Sequence, residues 1–180
     1  MAHKVIFLDR DGVINKCAPE HEYILSIDQL IWIPGSIEGL KLLSVLGYKL
    51  IIISNQRGIG LGLMSFDDLD KIHIRMTTTL LQNGVCIEKI LVCPHDYKDN
   101  CDCRKPKIGL FQQTEKFLDI DKSQSYMIGD SESDIIAGKN FGVKTVYIGK
   151  TNLFGSDFCF ENLYKFSKFI KKANKGISNV

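Results

Sequence analysis

Two carboxylates, Asp9 and Asp11, follow the apolar run Val5-Ile6-Phe7-Leu8, and this arrangement restricts the fold more than any other feature of the chain. A short apolar run of this kind is typical of a strand buried on both faces of a parallel sheet. Carboxylates so close together repel each other, and their burial is costly unless a cation compensates the charge. Because hard oxygen ligands suit Mg²⁺, the pattern predicts a magnesium site where this strand ends. The alternative interpretation is a solvated acidic loop.

Four further apolar runs alternate with amphipathic segments along the chain. The runs predict strands at Leu50–Ile53, Ile90–Val92, Tyr126–Ile128 and Thr145–Ile148. The amphipathic segments predict helices at Ser36–Leu46, Phe66–Gln82, Leu110–Leu118 and Ser133–Phe141. This alternation predicts a three-layer α/β fold with a mainly parallel sheet, and a length of 180 residues fits a single domain over residues 1–180.

The charge and cysteine content limit the classes of partner. A net charge of +2 gives no general reason to expect nucleic acid binding. The lysine-rich end, in which apolar residues recur, predicts an amphipathic helix; these residues are Lys165, Phe166, Lys168, Phe169, Ile170, Lys171, Lys172 and Lys175. The apolar runs are too short for a signal peptide or a membrane span. We therefore expect a cytoplasmic protein, a monomer by the simplest assumption, with reduced thiols.

The segment from Asn15 to Pro34, which joins the first strand to the first helix, is irregular. It is too short to form a separate cap domain. It is long enough to lie over a ligand site, which in open α/β sheets is found beyond the carboxyl ends of the strands.

Polar residues follow the second and fourth predicted strands. The second is followed by Ser54-Asn55-Gln56-Arg57-Gly58-Ile59-Gly60, whose hydroxyl, amides and glycines can either cradle a phosphate or form a simple polar turn. The fourth is followed by Gly129 and Asp130, and Asp130 can complete a cation site with Asp9. Asp134 fits either this site or the acidic start of a helix.

Three thiols and one imidazole follow the third strand within a short loop. They are Cys93, His95, Cys101 and Cys103. Such a set fills all four positions of a tetrahedral zinc site, so we predict a closed, structural Zn²⁺ site. The remaining cysteines show no such grouping: we interpret Cys86 and Cys159 as packing residues and assign no role to Cys17.

Arg104 and Lys105 come directly after this loop, beside Pro106. Two cations next to an acidic, cation-binding site indicate recognition of an anion such as phosphate. The alternative is a pair of solvated charges.

In chain order, the motifs Asp-x-Asp-Gly-Val, Ser-Asn-Gln, Lys-Pro and Gly-Asp-x-x-x-Asp resemble those of the haloacid dehalogenase superfamily. The stretch Cys-Pro-His…Cys-Asp-Cys-Arg-Lys-Pro is similar to the zinc-containing branch that holds heptose bisphosphate phosphatases and histidinol phosphatases. The resemblance spans about Val5 to Gly149. It implies a Rossmann-like fold without a large cap domain.

The resemblance also implies roles for individual residues. Asp9 would be the nucleophile that forms an aspartyl phosphate, and Asp11 the general acid and then the base. The Asp9 carboxylate, the Asp11 carbonyl and Asp130 would hold Mg²⁺. Ser54 and Lys105 would stabilise the transferring phosphoryl group, and Arg104 would contact the substrate. The zinc ligands would be the Cys₃His set, and further substrate contacts would come from Asn55, Gln56 and Arg57.

Two phosphorylated substrates fit these motifs. The opening Asp-Arg-Asp-Gly-Val-Ile-Asn and the stretch Asn-Gln-Arg-Gly-Ile-Gly resemble enzymes that remove the 7-phosphate of D-glycero-D-manno-heptose 1,7-bisphosphate, a step toward nucleotide-activated heptose for lipopolysaccharide and other surface glycans. Histidinol phosphate is the alternative, favoured by the acidic Glu20, Glu22 and Asp28. Ser131 stands where a lysine is common in the family, which removes one cation from the expected site.

Two further interpretations carry less weight. A non-catalytic zinc-stabilised binding module would usually lack Asp9 or Asp11, and both are present. A DNA 3′-phosphatase would need a basic groove or an aromatic platform, for which the sequence gives no sign.

Overall fold

The structure is a computed structural model that describes the backbone of residues 1–177 and the side chains of residues 1–174. The strands are β1 (Val5–Leu8), β2 (Lys49–Asn55), β3 (Lys89–Cys93), β4 (Tyr126–Gly129), β5 (Lys144–Ile148) and β6 (Phe158–Phe160). The helices are α1 (Ser36–Val45), α2 (Arg57–Gly60), α3 (Phe66–Gln82), α4 (Gly109–Glu115), α5 (Glu132–Phe141) and α6 (Leu163–Ile177). Short 3₁₀ turns lie at Ile27–Gln29, Tyr97–Asp99 and Lys122–Gln124.

All neighbouring strands of the sheet run parallel, in the order β3-β2-β1-β4-β5-β6. Leu8 at the end of β1 is in register with Ile52 of β2 on one side and Ile128 of β4 on the other. The chain builds the sheet outward from β1 in both directions, and a parallel sheet binds ligands at such a switch point. The predicted α/β fold is confirmed.

Side chains of β1 alternate between two apolar cores, one on each face of the sheet. Ile6 and Leu8 face a core that includes Phe166 of α6. Phe7 faces the other core, where its ring lies 4.8 Å from that of Phe111. Burial on both faces explains why the strands read as continuous apolar runs instead of alternating patterns.

The structure adds elements that the sequence pattern did not predict. Strand β6 has only three residues, too few to show a regular spacing of apolar residues. Helix α2 is a single turn in a stretch rich in glycine. The amphipathic terminal helix is confirmed: Phe166 and Ile170 are buried on α6, whereas Phe169 is 39% exposed. The Lys175 side chain lies outside the described residues. Among the described helices, none is both long and apolar enough to cross a bilayer.

The irregular segment after β1 returns to its starting point. Asn15 pairs with Trp32 in an antiparallel bridge, and the Ile33 N–H donates to the Ile14 carbonyl at 3.1 Å. Midway, Ile24 packs with Leu69 of α3 in a small third core. The segment is therefore anchored at its base beside the carboxyl end of β1.

Candidate active site

Three carboxylates meet where β1 and β4 end. The oxygens of Asp9, Asp130 and Asp134 lie within 4.8 Å of one another. The Asp9 N–H donates to the Ile128 carbonyl at 2.9 Å, which fixes the start of this loop against β4. Gly12 adopts a φ of +85°, and a Cβ at that position would lie 1.9 Å from Asp130 Oδ2. A residue without a side chain is thus required for Asp130 to reach Asp9.

Lys105 lies inside this acidic group. Its Nζ is 2.9 Å from Asp9 Oδ1 and 2.6 Å from Asp134 Oδ1, and it donates to the Ile53 carbonyl at 2.8 Å. Burial disfavours charge on Lys105, but the Asp134 and Asp9 carboxylates outweigh that effect and hold the pKa of the ammonium above its usual range. Lys105 is therefore a permanent cation at the ends of β1 and β2.

One ammonium does not compensate three carboxylates. Burial raises the pKa of Asp9 to about 7; the Lys105 ammonium opposes this rise, and the Asp134, Asp11 and Asp130 carboxylates add to it. Burial, followed by repulsion from Asp134, raises the pKa of Asp130 to about 6. These raised pKa values report excess negative charge, and the oxygen donor set fits Mg²⁺. Asp9 and Asp130 are the carboxylates that could hold the ion.

Asp134 has a double role that the sequence left open between two alternatives. Its Oδ2 accepts hydrogen bonds from the Ser131 hydroxyl at 2.6 Å and the Ser131 N–H at 3.2 Å, which caps the start of α5. Its Oδ1 faces Lys105. Asp134 is thus both the acidic start of a helix and the residue that holds Lys105 in place.

Asp11 points away from the carboxylate group and into a set of donors. Arg10 donates from Nε to Oδ1 at 3.1 Å and from Nη2 to Oδ2 at 2.9 Å. Asn15 Nδ2 donates to Oδ1 at 2.7 Å, and Gln56 Nε2 donates to Oδ2 at 3.1 Å. Sequence reasoning assigned no role to Arg10, which is fully buried beside His73. The position of Arg10 between Asp9 and Asp11 was the sequence feature that could have indicated a role for it.

The residues that follow β2 connect the two halves of the site. Gln56 Nε2 donates to the buried Ser54 hydroxyl at 2.9 Å as well as to Asp11. Asn55 accepts from the Lys105 N–H at 3.0 Å and donates to the Lys105 carbonyl at 3.2 Å. Asn55 therefore fixes the backbone from which Lys105 projects. Gly60 lies in α2 with Pro94 O 2.7 Å from where its Cβ would be, so this glycine permits close packing against the next loop.

Arg57 and Arg104 come together around one aromatic ring. Their guanidinium carbons lie 4.5 and 4.2 Å from the ring centroid of Tyr97. Asp96 binds Arg57 through a 2.6 Å ion pair, and the His95 carbonyl accepts from Arg104 Nη1 at 3.3 Å. The structure thus brings together two of the residues predicted to contact substrate.

The predicted zinc ligands converge in the loop after β3. The Sγ atoms of Cys93 and Cys103 each lie 3.5 Å from that of Cys101, and His95 Nδ1 lies 3.2 Å from Cys103 Sγ. Four donors around one Zn²⁺ at its usual bond lengths would stand roughly 3.3–3.8 Å apart, so the set fits the ion. Because Arg104 and Lys105 follow Cys103 directly, this cluster fixes the chain that carries both cations.

The other cysteines behave differently from one another. Cys86 is exposed, so its interpretation as a packing residue is wrong; it lies in the segment before β3. Cys159 is partly buried in β6. Cys17 Sγ donates to Asp130 Oδ2 at 3.3 Å, which places this thiol at the rim of the carboxylate group.

Comparisons with known proteins agree on one family. A HAD-hydrolase-like family model matches residues 102–152. The D-glycero-beta-D-manno-heptose-1,7-bisphosphate 7-phosphatase of Pasteurella multocida is 42% identical over 154 residues, which are 82% of this chain and 82% of that protein. A histidine biosynthesis bifunctional protein of Campylobacter jejuni is 34% identical over 150 residues, 83% of this chain but 43% of that protein.

A solved structure shows the same fold. The D,D-heptose 1,7-bisphosphate phosphatase of B. bronchiseptica, complexed with magnesium and phosphate, superposes with a TM-score of 0.86 at 28% identity. The match covers 94% of this chain and 99% of that one.

Proposed function

The chain belongs to the haloacid dehalogenase-like hydrolases, in the group that includes heptose 1,7-bisphosphate 7-phosphatases, and we propose that it removes the 7-phosphate of D-glycero-D-manno-heptose 1,7-bisphosphate. One observation supports the chemistry above all others: Lys105 lies 2.9 Å from Asp9 where a carboxylate group fit for Mg²⁺ meets the switch point of the sheet. The choice of sugar rests on the similarity to the heptose enzymes over most of the chain.

The reaction proceeds in two displacements. An Asp9 carboxylate oxygen attacks phosphorus, the bond from phosphorus to the sugar oxygen breaks, and its electron pair stays on that oxygen, which takes a proton from Asp11. Water then attacks the aspartyl phosphate, Asp11 accepts the proton of that water, and the bond to Asp9 breaks to release phosphate. Two displacements by enclosed nucleophiles replace a single difficult attack by water.

Stabilisation of charge is the main task of the protein in phosphoryl transfer. In this proposal the Lys105 ammonium offsets charge on the phosphoryl oxygens and the Ser54 hydroxyl donates a hydrogen bond to them. The bond from Lys105 to the Ile53 carbonyl and the bond from Gln56 to Ser54 support this role by holding the two groups in place. When bound by Asp9, Asp130 and the Asp11 carbonyl, Mg²⁺ would offset negative charge on the nucleophile and on the phosphoryl group. Asp9 is ionised more readily once that charge is offset, because repulsion from Asp130 and Asp134 contributes to its raised pKa.

Recognition of the sugar falls to the groups around Tyr97. Arg57 and Arg104 supply planar, permanently charged donors suited to a second phosphate or to hydroxyl groups. Asn55 and Gln56 act here by orienting Lys105 and Asp11. In this proposal the Zn²⁺ is structural, because its four protein ligands leave no position for substrate.

We take a cytoplasmic monomer with a small phosphorylated sugar as its only partner to be the working form. Asp9, Asp11, Lys105 and Asp130 lie together within one chain, and a reducing compartment keeps the thiol ligands of zinc from forming disulfides.

Histidinol phosphate is the second candidate substrate, since a histidine biosynthesis protein is also a relative. Glu20, Glu22 and Asp28 are exposed and thus accessible to a cationic amine. The heptose phosphate ranks first because identity to the heptose enzymes reaches 42%, against 34% for the histidine biosynthesis protein. A binding module without catalytic activity is disfavoured by the complete set of Asp9, Asp11, Lys105 and Asp130.

The test is phosphate release, with Mg²⁺, from the α and β anomers of heptose 1,7-bisphosphate and from histidinol phosphate. We expect the highest kcat/KM for one heptose anomer and release of a single phosphate per molecule. Preference for histidinol phosphate would overturn the substrate and leave the catalytic assignments intact. Release from none of the three would overturn the proposed function.

A further inference from the structure

Arg10 is the largest of the fully buried side chains, and it lies between the two motif carboxylates in the sequence. An apolar side chain would fill the same volume without the free-energy cost of burying a charge. The guanidinium must therefore be held by polar partners. Two such partners are the Asp11 carboxylate, which it contacts through two nitrogens, and His73 of α3.

The contact with Asp11 is a fork, because Nε and Nη2 of Arg10 each donate to a different oxygen of that carboxylate. Two parallel donors fix the plane of a carboxylate as well as its position. The backbone supports the same geometry, since the Arg10 carbonyl accepts from the Ile14 N–H at 2.9 Å and the Asn15 N–H at 3.2 Å. The turn that carries Asp11 is thus closed on Arg10 through both main chain and side chain.

His73 supports the guanidinium from the opposite side. Arg10 Nη1 lies 3.4 Å from His73 Nε2, and a guanidinium can only donate, so Nε2 accepts and the ring proton is on Nδ1. Burial, with a further contribution from the Arg10 charge, lowers the pKa of His73 to about 4. The ring is therefore neutral at ordinary pH and remains available as an acceptor.

We propose that Arg10 is a positioning residue for Asp11: supported by His73, its fork fixes the plane and the position of the carboxylate from which proton transfer starts. The proposal rests on the proposed function, in which Asp11 is the acid and then the base. Neither Arg10 nor His73 is assigned a contact with substrate or with the metal.

Two substrates with different leaving groups can distinguish this role from a purely structural one. A sugar alkoxide needs a proton as it departs, whereas p-nitrophenolate leaves without one. Loss of general acid catalysis therefore slows the first step for the sugar phosphate far more than for p-nitrophenyl phosphate. A variant that is only partly folded loses kcat/KM for both substrates by the same factor.

The experiment compares kcat/KM for heptose 1,7-bisphosphate and p-nitrophenyl phosphate in the full chain with Mg²⁺. For Arg10→Lys we expect a loss of about 100-fold with the sugar phosphate and of less than about tenfold with p-nitrophenyl phosphate. We call the kcat/KM for the sugar phosphate divided by that for p-nitrophenyl phosphate the substrate ratio. His73→Leu, which removes the acceptor, should lower the substrate ratio as Arg10→Lys does. His73→Gln, which keeps an acceptor oxygen, should keep the ratio close to that of the wild type. Arg75→Lys on the exposed side of α3 is the matched control and leaves the ratio unchanged.

Equal losses with both substrates, or an unchanged ratio in Arg10→Lys, would overturn the role of Arg10. If Arg10→Lys does not fold, the His73 pair decides, because an identical ratio in His73→Leu and His73→Gln would overturn it too. A wild-type chain that releases phosphate from neither compound overturns the proposed function itself, and the two failures are thus distinguishable.

Discussion

Lys105 Nζ lies 2.6 Å from Asp134 Oδ1, with both side chains withdrawn from solvent. The same ammonium is 2.9 Å from Asp9 Oδ1, so Lys105 joins α5 to the end of β1. Two residues far apart in the sequence thereby fix the position of the proposed nucleophile. The capping bonds from Ser131 hold Asp134 in turn, so the start of α5 takes part in positioning the site.

The ion pair predicts a large loss of stability in Lys105→Met. The substitution leaves Asp134 and Asp9 buried without a cation, and breaking a buried pair in this way destabilises a fold by about 3–5 kcal/mol. The free energy of unfolding in urea measures the loss. Lys116→Met, at an exposed position, should change it by less than about 0.5 kcal/mol. Similar values for the two variants would contradict the structural role of Lys105.

Asp9→Asn should lower phosphate release by about 10⁴-fold or more, since the amide is not a nucleophile. The fold should persist, and the variant should be at least as stable as the wild type at neutral pH, because repulsion between buried carboxylates decreases. Circular dichroism and urea unfolding check the fold. Asp102→Asn, whose side chain is 99% exposed, is the control for loss of one carboxylate. Retained turnover in Asp9→Asn would remove the nucleophile.

Mg²⁺ should raise the melting temperature of the wild type. At a free concentration of about 100 Kd, binding to the folded state alone contributes about 2.7 kcal/mol, which corresponds to a rise of about 5–10 °C in a chain of this size. Asp130→Asn should abolish most of the rise, whereas Asp119→Asn, at an exposed position, should keep it. Differential scanning calorimetry of the zinc-loaded chain with and without added Mg²⁺, in the absence of chelator, provides the measurement. An equal rise in both variants would exclude Asp130 as a ligand.

Cys101→Ala should reduce bound zinc from one ion per chain and lower the melting temperature, because ligand binding contributes folding free energy. It should also lower activity, since the loop that carries Arg104 and Lys105 loses its anchor. Metal analysis and calorimetry measure these changes. Cys86→Ala removes an exposed thiol outside the cluster and should leave both unchanged. Full zinc content with unchanged melting in Cys101→Ala would rule out the site.

His73 predicts a specific dependence of stability on pH. Burial first, and then the Arg10 charge, lowers its pKa from 6.5 to about 4, so the unfolded chain binds a proton that the folded chain excludes. The contribution of His73 is therefore present above pH 6.5 and is lost as the pH falls toward 4. Unfolding free energies at about pH 7.5 and about pH 5 should differ less in His73→Gln than in the wild type. If the difference between the two pH values were the same in His73→Gln and in the wild type, the pKa of His73 would not be lowered in the folded chain.

Much of the architecture follows from local pattern. Runs such as Val5–Leu8 read as strands because both of their faces are buried, and the polar residues after them mark the edge where ligands bind. The Cys₃His loop likewise predicts a zinc site from the sequence, because packing alone rarely places four soft donors so close together in a chain. The candidate zinc ligands and cations could be named from the residues alone, whereas the roles of Asp9 and Asp11 as nucleophile and acid came from the family resemblance.

Other features depend on contacts between distant segments, and no local pattern encodes them. Strand β6 is too short to show a regular spacing of apolar residues. It forms by parallel pairing with β5, a strand that precedes it in the sequence. Asn55 looks like a ligand residue in the sequence, and only the fold shows it bonded to the backbone of Lys105.

The sequence by itself determined the order of the first five strands and of the longer helices, the motif carboxylates and the candidate metal donors, since these depend on residue type and near spacing. The tertiary structure alone decided that Asp134 pairs with Lys105 and that the buried Arg10 bridges Asp11 and His73. Burial and electrostatic partnership arise only when chain segments far apart in sequence pack together. The charge of each group in the site is therefore a property of the fold.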